Sequence, residues 1–338
     1  MSKNASLDVA AIKSPVIAEL PRVCSDETAA IEWFEAKRWP DGCACIDCGS
    51  VDVYQMRQAK SPARQKNFRW RCRDCKYQFT VKTGTIFEDS PVPMHKWIHA
   101  LWLSAASKKG VAALELQRTI QVAYRTALFM LHRIRFCMGT EPQELLSGVV
   151  EVDETYLGGK PRRVSKQERE RLAAEGQEPP KSKRGRGTSK TPIVVAVQRD
   201  GSIKREAIAN ITAANLKQFL RGAVALSAEV VTDELNVYPK ATEGYARHRT
   251  TNHAQYEFAR VDDDGFNVHS NTAESSHALL KRGLIGVWHR MSQKRMPYYL
   301  ANTDFLWNTR RISDGDRVLA LVRSVEGKRL TVKRYRAG

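Results

Sequence analysis

Residues 150–159 read VEVDETYLGG and place three carboxylates, Glu151, Asp153 and Glu154, within four positions. Val150 and Val152 alternate with them and predict a strand over 148–157. Removing charge from water costs several kcal/mol per group unless something compensates it, so the stretch asks what that compensation is. On a regular strand, residues 149, 151 and 153 share one face and 150, 152 and 154 the other. Asp153 therefore faces with Glu151, and Glu154 is expected to point away as a supporting acid.

The next apolar strand also ends in an acid. AEVVTDELNVY, residues 228–238, sets Asp233 after Val230, Val231 and Thr232. A third acid, Glu274, lies on the predicted helix of HSNTAESSHALLKRG, residues 269–283. Three carboxylates from two strand ends and a helix form an oxygen-rich site suited to hard divalent cations. Two such ions assist phosphodiester chemistry, and their charge compensates the buried acids. The alternative is scattered surface acids, and spacing alone does not separate the two. Lys281, seven residues after Glu274, shares its helix face and is placed to touch a phosphate.

Upstream, Cys45-x-x-Cys48 is followed by Cys72-x-x-Cys75, two tight turns that together offer four thiolates to one tetrahedral zinc ion. The basic, alternating segment between them suits a β-ribbon. Cys43 also lies at workable spacing from Cys48, so the choice between Cys43 and Cys45 stays open. Cys24 and Cys137 have no partner at ligand spacing and read as small buried hydrophobes. Seven cysteines, an odd and clustered set, do not resemble a disulfide framework and fit a reducing cytosol.

Across 338 residues, 55 Lys and Arg stand against 37 Asp and Glu, a formal charge of +18. That surplus predicts a polyanionic partner, double-stranded DNA above all, because each neutralised phosphate releases counterions. No run of eighteen apolar residues occurs and the first residues lack the apolar core of a secretion signal, so neither a membrane span nor export is expected.

SDETAAIEWFEAKRWPDG, residues 25–42, reads as a helix capped by Ser25 or Asp26 and stopped by Pro40 and Gly42. The residues before it show no periodicity and are expected to be loose. PMHKWIHALWLSAAS, residues 93–107, is an apolar helix, and residues 111–135 read as two helices broken near 119–122. Tyr124, Arg125 and Thr126 would open the second, where a recognition helix meets base edges. Residues 160–190 are basic and poor in large apolar residues, predicting a mobile loop with one short helix. TPIVVAVQRDGSIKREAI, residues 191–208, is a hairpin turning at Asp200-Gly201. The chain ends in a basic tail, KRLTVKRYRAG.

Taken together, RWPDG with the first CxxC, RWRCRDCKYQFTVKTGTIFEDSPVP, SKKG, TALFMLHRIR, VEVDETYLGGK, TDELNVY, NHAQYEF and HSNTAESSHALLKRGLIGVWHRMS resemble a DDE-type transposase of a bacterial insertion sequence, of the ISXO-like kind with an N-terminal zinc ribbon. The resemblance spans nearly everything from Asp26 to Arg311. It implies an α/β fold: a ribonuclease H-like core of mixed sheet and flanking helices, preceded by a zinc ribbon and a helix-turn-helix-like region. The expected divisions are an N-terminal segment with one helix (1–41), the ribbon (42–90), the helical DNA-binding region (91–140), the catalytic domain (147–312, with the insertion 160–190) and the tail (313–338). By resemblance Asp153, Asp233 and Glu274 bind two magnesium or manganese ions, Lys281 is the accompanying basic residue, and one structural zinc sits on Cys45, Cys48, Cys72 and Cys75. His269 and Asn271 fall in the same motif as supporting or DNA-contacting groups.

The implied reaction cuts a strand to leave a 3′-hydroxyl, which then attacks a target phosphodiester without a covalent protein intermediate. Paired transposon ends imply a homo-oligomer on DNA, in the bacterial cytoplasm at the nucleoid. Two rivals share these parts: a regulator that binds DNA but has lost chemistry, and a nuclease that cuts without joining.

Overall fold

The computed structural model describes residues 14–59, 61–139, 144–158, 165–177 and 190–337. The chain forms two compact units, one of residues up to 142 together with 301 onward, the other of residues 143–300.

The first unit is helical around an apolar core, with the cysteine-rich ribbon attached. Helix α1 (Pro15–Val23) stands where loose chain was expected. Pro15 opens it and Pro21 lies within it, masking a period that buries Val16, Leu20 and Val23. Helix α2 (Glu27–Arg38) starts at Asp26, whose carboxylate accepts from the Ala29 N–H at 2.6 Å. Strands β1 (Val53–Gln55) and β2 (Trp70–Cys72) pair antiparallel, and β3 (Gln78–Phe79) adds to β2. Arg64 and the Trp70 indole both donate to Glu35 of α2, at 2.5 and 2.7 Å, fixing this ribbon to the helix.

Helix α3 (Met94–Ala106) is followed by α4 (Ala113–Ile120) and α5 (Tyr124–Met138), with Gln121 in the left-handed region between them at φ 51°. Leu116, Ala127, Met130, Leu131 and Ile134 are buried in the shared core. Residues 313–338, expected as a basic tail, begin with a helix. Helix Asp314–Ser324 instead sends Val318, Leu321 and Val322 into that core. Arg38 grips Glu326 through two hydrogen bonds, at 2.6 and 2.7 Å. The basic residues cluster at 328–336, past this helix, whose own two Arg are matched by two Asp.

The second unit is a five-stranded mixed sheet flanked by helices. Strand β4 (Val149–Leu157) pairs antiparallel with β5 (Thr191–Gln198), which pairs antiparallel with β6 (Ile203–Ala207). On the other side β4 runs parallel to β7 (Glu229–Asp233), and β7 parallel to β8 (Arg247–Thr251). The order is β6-β5-β4-β7-β8. One face, carrying Val150, Val152, Val194 and Val230, packs on helix α7 (Ala213–Ala223) and the short α8 (Tyr238–Ala241). Helix α9 (Asn271–Gly283) lies against β4 and β5 and contributes Leu280 to a second cluster with Leu157 and Ile193. A small hairpin, β9 (Ala259–Val261) with β10 (Asn267–His269), leads into α9.

Of the insertion, α6 (Lys166–Ala174) is described and buries none of its residues; 159–164 and 178–189, including most of the loop expected to be mobile, lie outside the described residues. No described helix is long and apolar enough to cross a membrane.

Candidate metal centres

The ribbon brings its four cysteines together. Cys45, Cys48, Cys72 and Cys75 place their sulfurs within 4.8 Å of one another, with Cys45 Sγ 3.5 Å from Cys75 Sγ and Cys48 Sγ 3.7 Å from Cys72 Sγ. Cys43 stays outside the group, its sulfur 3.9 Å from the Ala44 carbonyl. The choice left open by spacing thus falls on Cys45. Burial works to raise the Cys72 thiol, but the backbone N–H groups of Cys75 and Asp74 bring it down to about 7. Four converging sulfurs in tight turns are the donor set of a structural zinc ion.

The acids meet at the parallel seam of the sheet. Glu151 lies opposite Val231 in the β4–β7 register, so the same offset sets Asp153 beside Asp233. Carboxylate oxygens of Asp153, Glu154 and Asp233 all lie within 4.8 Å of one another. Asp153 Oδ1 accepts from the Glu154 N–H at 2.7 Å, and Asp233 Oδ1 from the Leu235 N–H at 3.1 Å, which fixes both side chains. Burial, then the charges of Glu154, Asp233 and Glu274, push the Asp153 carboxyl up to about 7. A cluster in which one acid resists ionisation is short of positive charge, and divalent cations bound by oxygen supply it.

Glu154 corrects the expectation drawn from strand alternation. Its side chain leaves the α7–α8 face, but at the end of that face the Tyr238 hydroxyl donates to Glu154 Oε2 at 2.7 Å and its carboxylate belongs to the acid group. Glu274 occupies the first turn of α9, close enough to raise Asp153 by its charge, though its carboxylate is not among the three grouped oxygens.

Glu151 is wholly buried and turned toward α9. It accepts from Arg199 Nε at 2.8 Å, the Thr272 N–H at 2.8 Å, the Thr272 hydroxyl at 3.1 Å and the Ala273 N–H at 3.1 Å. His269 Nδ1 lies 3.3 Å from the same carboxylate, so this ring faces inward, whereas Asn271 and Lys281 are exposed. Tyr124 and Arg125 are exposed at the start of α5, with Thr126 half-buried beside them.

Two neighbours went unread in the sequence. His277, one turn beyond Glu274, places Nε2 3.5 Å from Asp153 Oδ2; burial, then Arg205 and Lys281, push it down to about 3, so it stands neutral. Its signal was the three-residue step from Glu274, which puts both on one side of α9. Tyr238, at the end of TDELNVY, is the other: a tyrosine five residues after Asp233 carries no signal in the sequence without the turn that folds it back toward Glu154.

These two centres agree with the comparisons to known proteins. The ISXO2-like transposase domain matches residues 145–308, and the transposase zinc-ribbon domain matches residues 25–78. Over an alignment of 271 residues that covers 78% of this chain and 84% of the other, the chain is 30% identical to a Halobacterium salinarum protein described as "Uncharacterized protein in transposable element ISH50". With a four-cysteine ribbon ahead of a mixed sheet whose seam gathers acids, the chain belongs to the ISXO2-like transposases.

Proposed function

We propose that this transposase binds double-stranded DNA at the terminal inverted repeats of its insertion sequence, cuts it in a divalent-metal-dependent reaction, and joins the 3′ end to target DNA. The observation that carries the reading is the parallel β4–β7 register, which aligns Asp153 with Asp233 beneath the first turn of α9. A protein that only bound DNA would have no use for that alignment.

The second unit is read as ribonuclease H-like. Its support is a sheet in which three antiparallel strands are extended by two parallel ones, with the acids at the junction. Asp153 and Asp233 would hold two magnesium or manganese ions, with Glu274 completing the set from α9 and Glu154, steadied by Tyr238, adding an oxygen. Bound ions of this kind activate the attacking hydroxyl group and neutralise the leaving oxygen. The protein's own share is orientation: backbone N–H groups fix Asp153 and Asp233, and Lys281, exposed on α9, meets a phosphate. Neutral His277 packs against Asp153 without competing for its charge.

In the first unit, α4, the left-handed turn at Gln121 and α5 form the helix-turn-helix-like element, and Tyr124, Arg125 and Thr126 are its base-reading end. The zinc ribbon adds phosphate contacts from the basic segment between its cysteine pairs. Synapsis of two ends calls for a homo-oligomer on DNA.

The test supplies the purified chain with labelled duplex carrying the element's end, a target duplex and magnesium. Joined product that disappears in Asp233→Ala is the expected result. Cutting without joining points to a nuclease, and binding without either to a regulator.

A further inference from the structure

Glu151 is a fully buried carboxylate two residues before Asp153, and its neighbours are spread over three separate elements. Arg199, just past β5, donates to it at 2.8 Å and at the same time to the backbone carbonyls of Asn267 at 2.7 Å and His269 at 3.0 Å, on β10. On the other side Glu151 accepts two backbone N–H groups and one hydroxyl from residues 272 and 273, the first turn of α9. A helix start normally takes its cap from the residue just before it. Here Ser270 makes no side-chain cap, and Glu151, on a strand 121 residues before Thr272, supplies the acceptor instead.

We infer that Glu151, locked by Arg199, is a positioning residue that sets the register of α9 against β4 and so the distance of Glu274 from Asp153 and Asp233. The inference rests on reading those three acids as the metal site. The geometry links both ends of the distance. Asp153 follows Glu151 on the same face of β4, one pleat along, and Glu274 follows Thr272 by two residues in the same helical turn. Movement at the Glu151 carboxylate is therefore passed to both acids.

The chemistry also explains why an acid is retained. A hydrophobic side chain of similar volume would fill the space without the cost of a buried ion pair. Only a carboxylate offers acceptors to a guanidinium and to two backbone N–H groups together. Glutamine has one acceptor oxygen, and its amide would be directed at a donor on one side or the other.

The experiment titrates manganese into the full, zinc-loaded chain and follows free manganese by electron paramagnetic resonance, a readout independent of DNA cleavage. Glu151→Gln is expected to weaken manganese binding roughly 10–100-fold, the usual effect of removing a group that orients metal ligands, at a temperature where circular dichroism shows the variant folded. A purely structural clamp would lower the melting temperature and leave manganese binding as in the wild type, and that result overturns the inference. Should Glu151→Gln not fold, Thr272→Val, which removes only the hydroxyl donor, decides the matter: weakening of about threefold or more supports the inference, and unchanged binding overturns it. Asp153→Ala is the control on the underlying reading. Manganese binding undiminished in Asp153→Ala sinks the metal site itself, whereas loss there with none in Glu151→Gln sinks the positioning role alone.

Discussion

The ribbon and the acid seam are both candidate metal centres, but they are assembled in opposite ways. The four cysteines come from two tight turns joined by one hairpin, with Cys72 27 positions after Cys45. The acids come from β4, β7 and α9, whose members are 80 and 41 residues apart along the chain. Local turns fix thiolates almost regardless of the rest of the fold. The acid seam exists only when the parallel sheet is formed and α9 is docked on it. The ribbon should accordingly depend on its metal for structure, and the acid site should depend on structure for its metal.

The largest effect expected from this contrast is at the seam. Asp153→Ala should lower strand transfer by on the order of 10²–10³-fold or more, with the melting profile of the chain little changed. A variant that retained near-normal joining in a labelled-duplex assay would break the comparison at its strongest point. Removing zinc, by chelation or by Cys72→Ala, should instead unfold the ribbon while leaving the second unit's sheet intact. Near-ultraviolet dichroism of Trp39 and Trp70, which pack edge to face beside the cysteines with ring centres 5.9 Å apart, reports the ribbon directly. Glu154→Gln is expected to fall between the extremes, at roughly 10–100-fold in metal affinity; an effect as small as that of an exposed acid would return Glu154 to a supporting role.

A pH effect separates the centres further. Asp153, pushed up to about 7, keeps its proton in the folded chain where the unfolded chain has lost it. Between the unfolded value near 4 and about 7 the folded state therefore binds more protons, and stability without metal should fall as pH rises through that window. Divalent binding must displace the same proton, so affinity should be about tenfold weaker at pH 6 than at pH 8. Calorimetric titration at the two values checks this, and equal affinities would contradict it. The smallest effect is expected at the DNA surface. Arg125→Ala should weaken binding to the element's end about fivefold, about 1 kcal/mol, and narrow its preference over an unrelated duplex, as the loss of a single base contact does.

Legibility in the sequence followed the same division. Cysteine spacing was enough to find the ribbon's sulfur group, since turn geometry is local; only the choice between Cys43 and Cys45 needed the fold. Strand ends and their acids were readable from apolar runs, and the β4–β7 register then aligned Asp153 with Asp233. Periodicity failed where two buried faces compete. Glu154 was assigned away from the site by alternation, but the Tyr238 hydroxyl and the sheet's end draw it back. Proline hid α1, and grouping 314–324, where two Arg are matched by two Asp, with the basic residues at 328–336 masked the apolar stripe of its helix.

Net charge was also a blunt guide. Arg133 and Arg135, on α5, are buried and donate to backbone carbonyls of Ile86 and Val111, at 2.8 and 3.0 Å. They contribute to the positive total while offering nothing to a phosphate.

The insertion between β4 and β5 has a consequence of another kind. Leu157 still pairs with Thr191, so the two strands remain in register up to the point where the chain departs and from the point where it returns. Closing a loop of about thirty residues rather than a four-residue turn costs only about 2 kcal/mol of chain entropy. The hairpin is thus a permissive port. Length and composition at this point can change over generations, or a reporter domain can be spliced in at the bench, while the sheet that aligns the acids is left as it is.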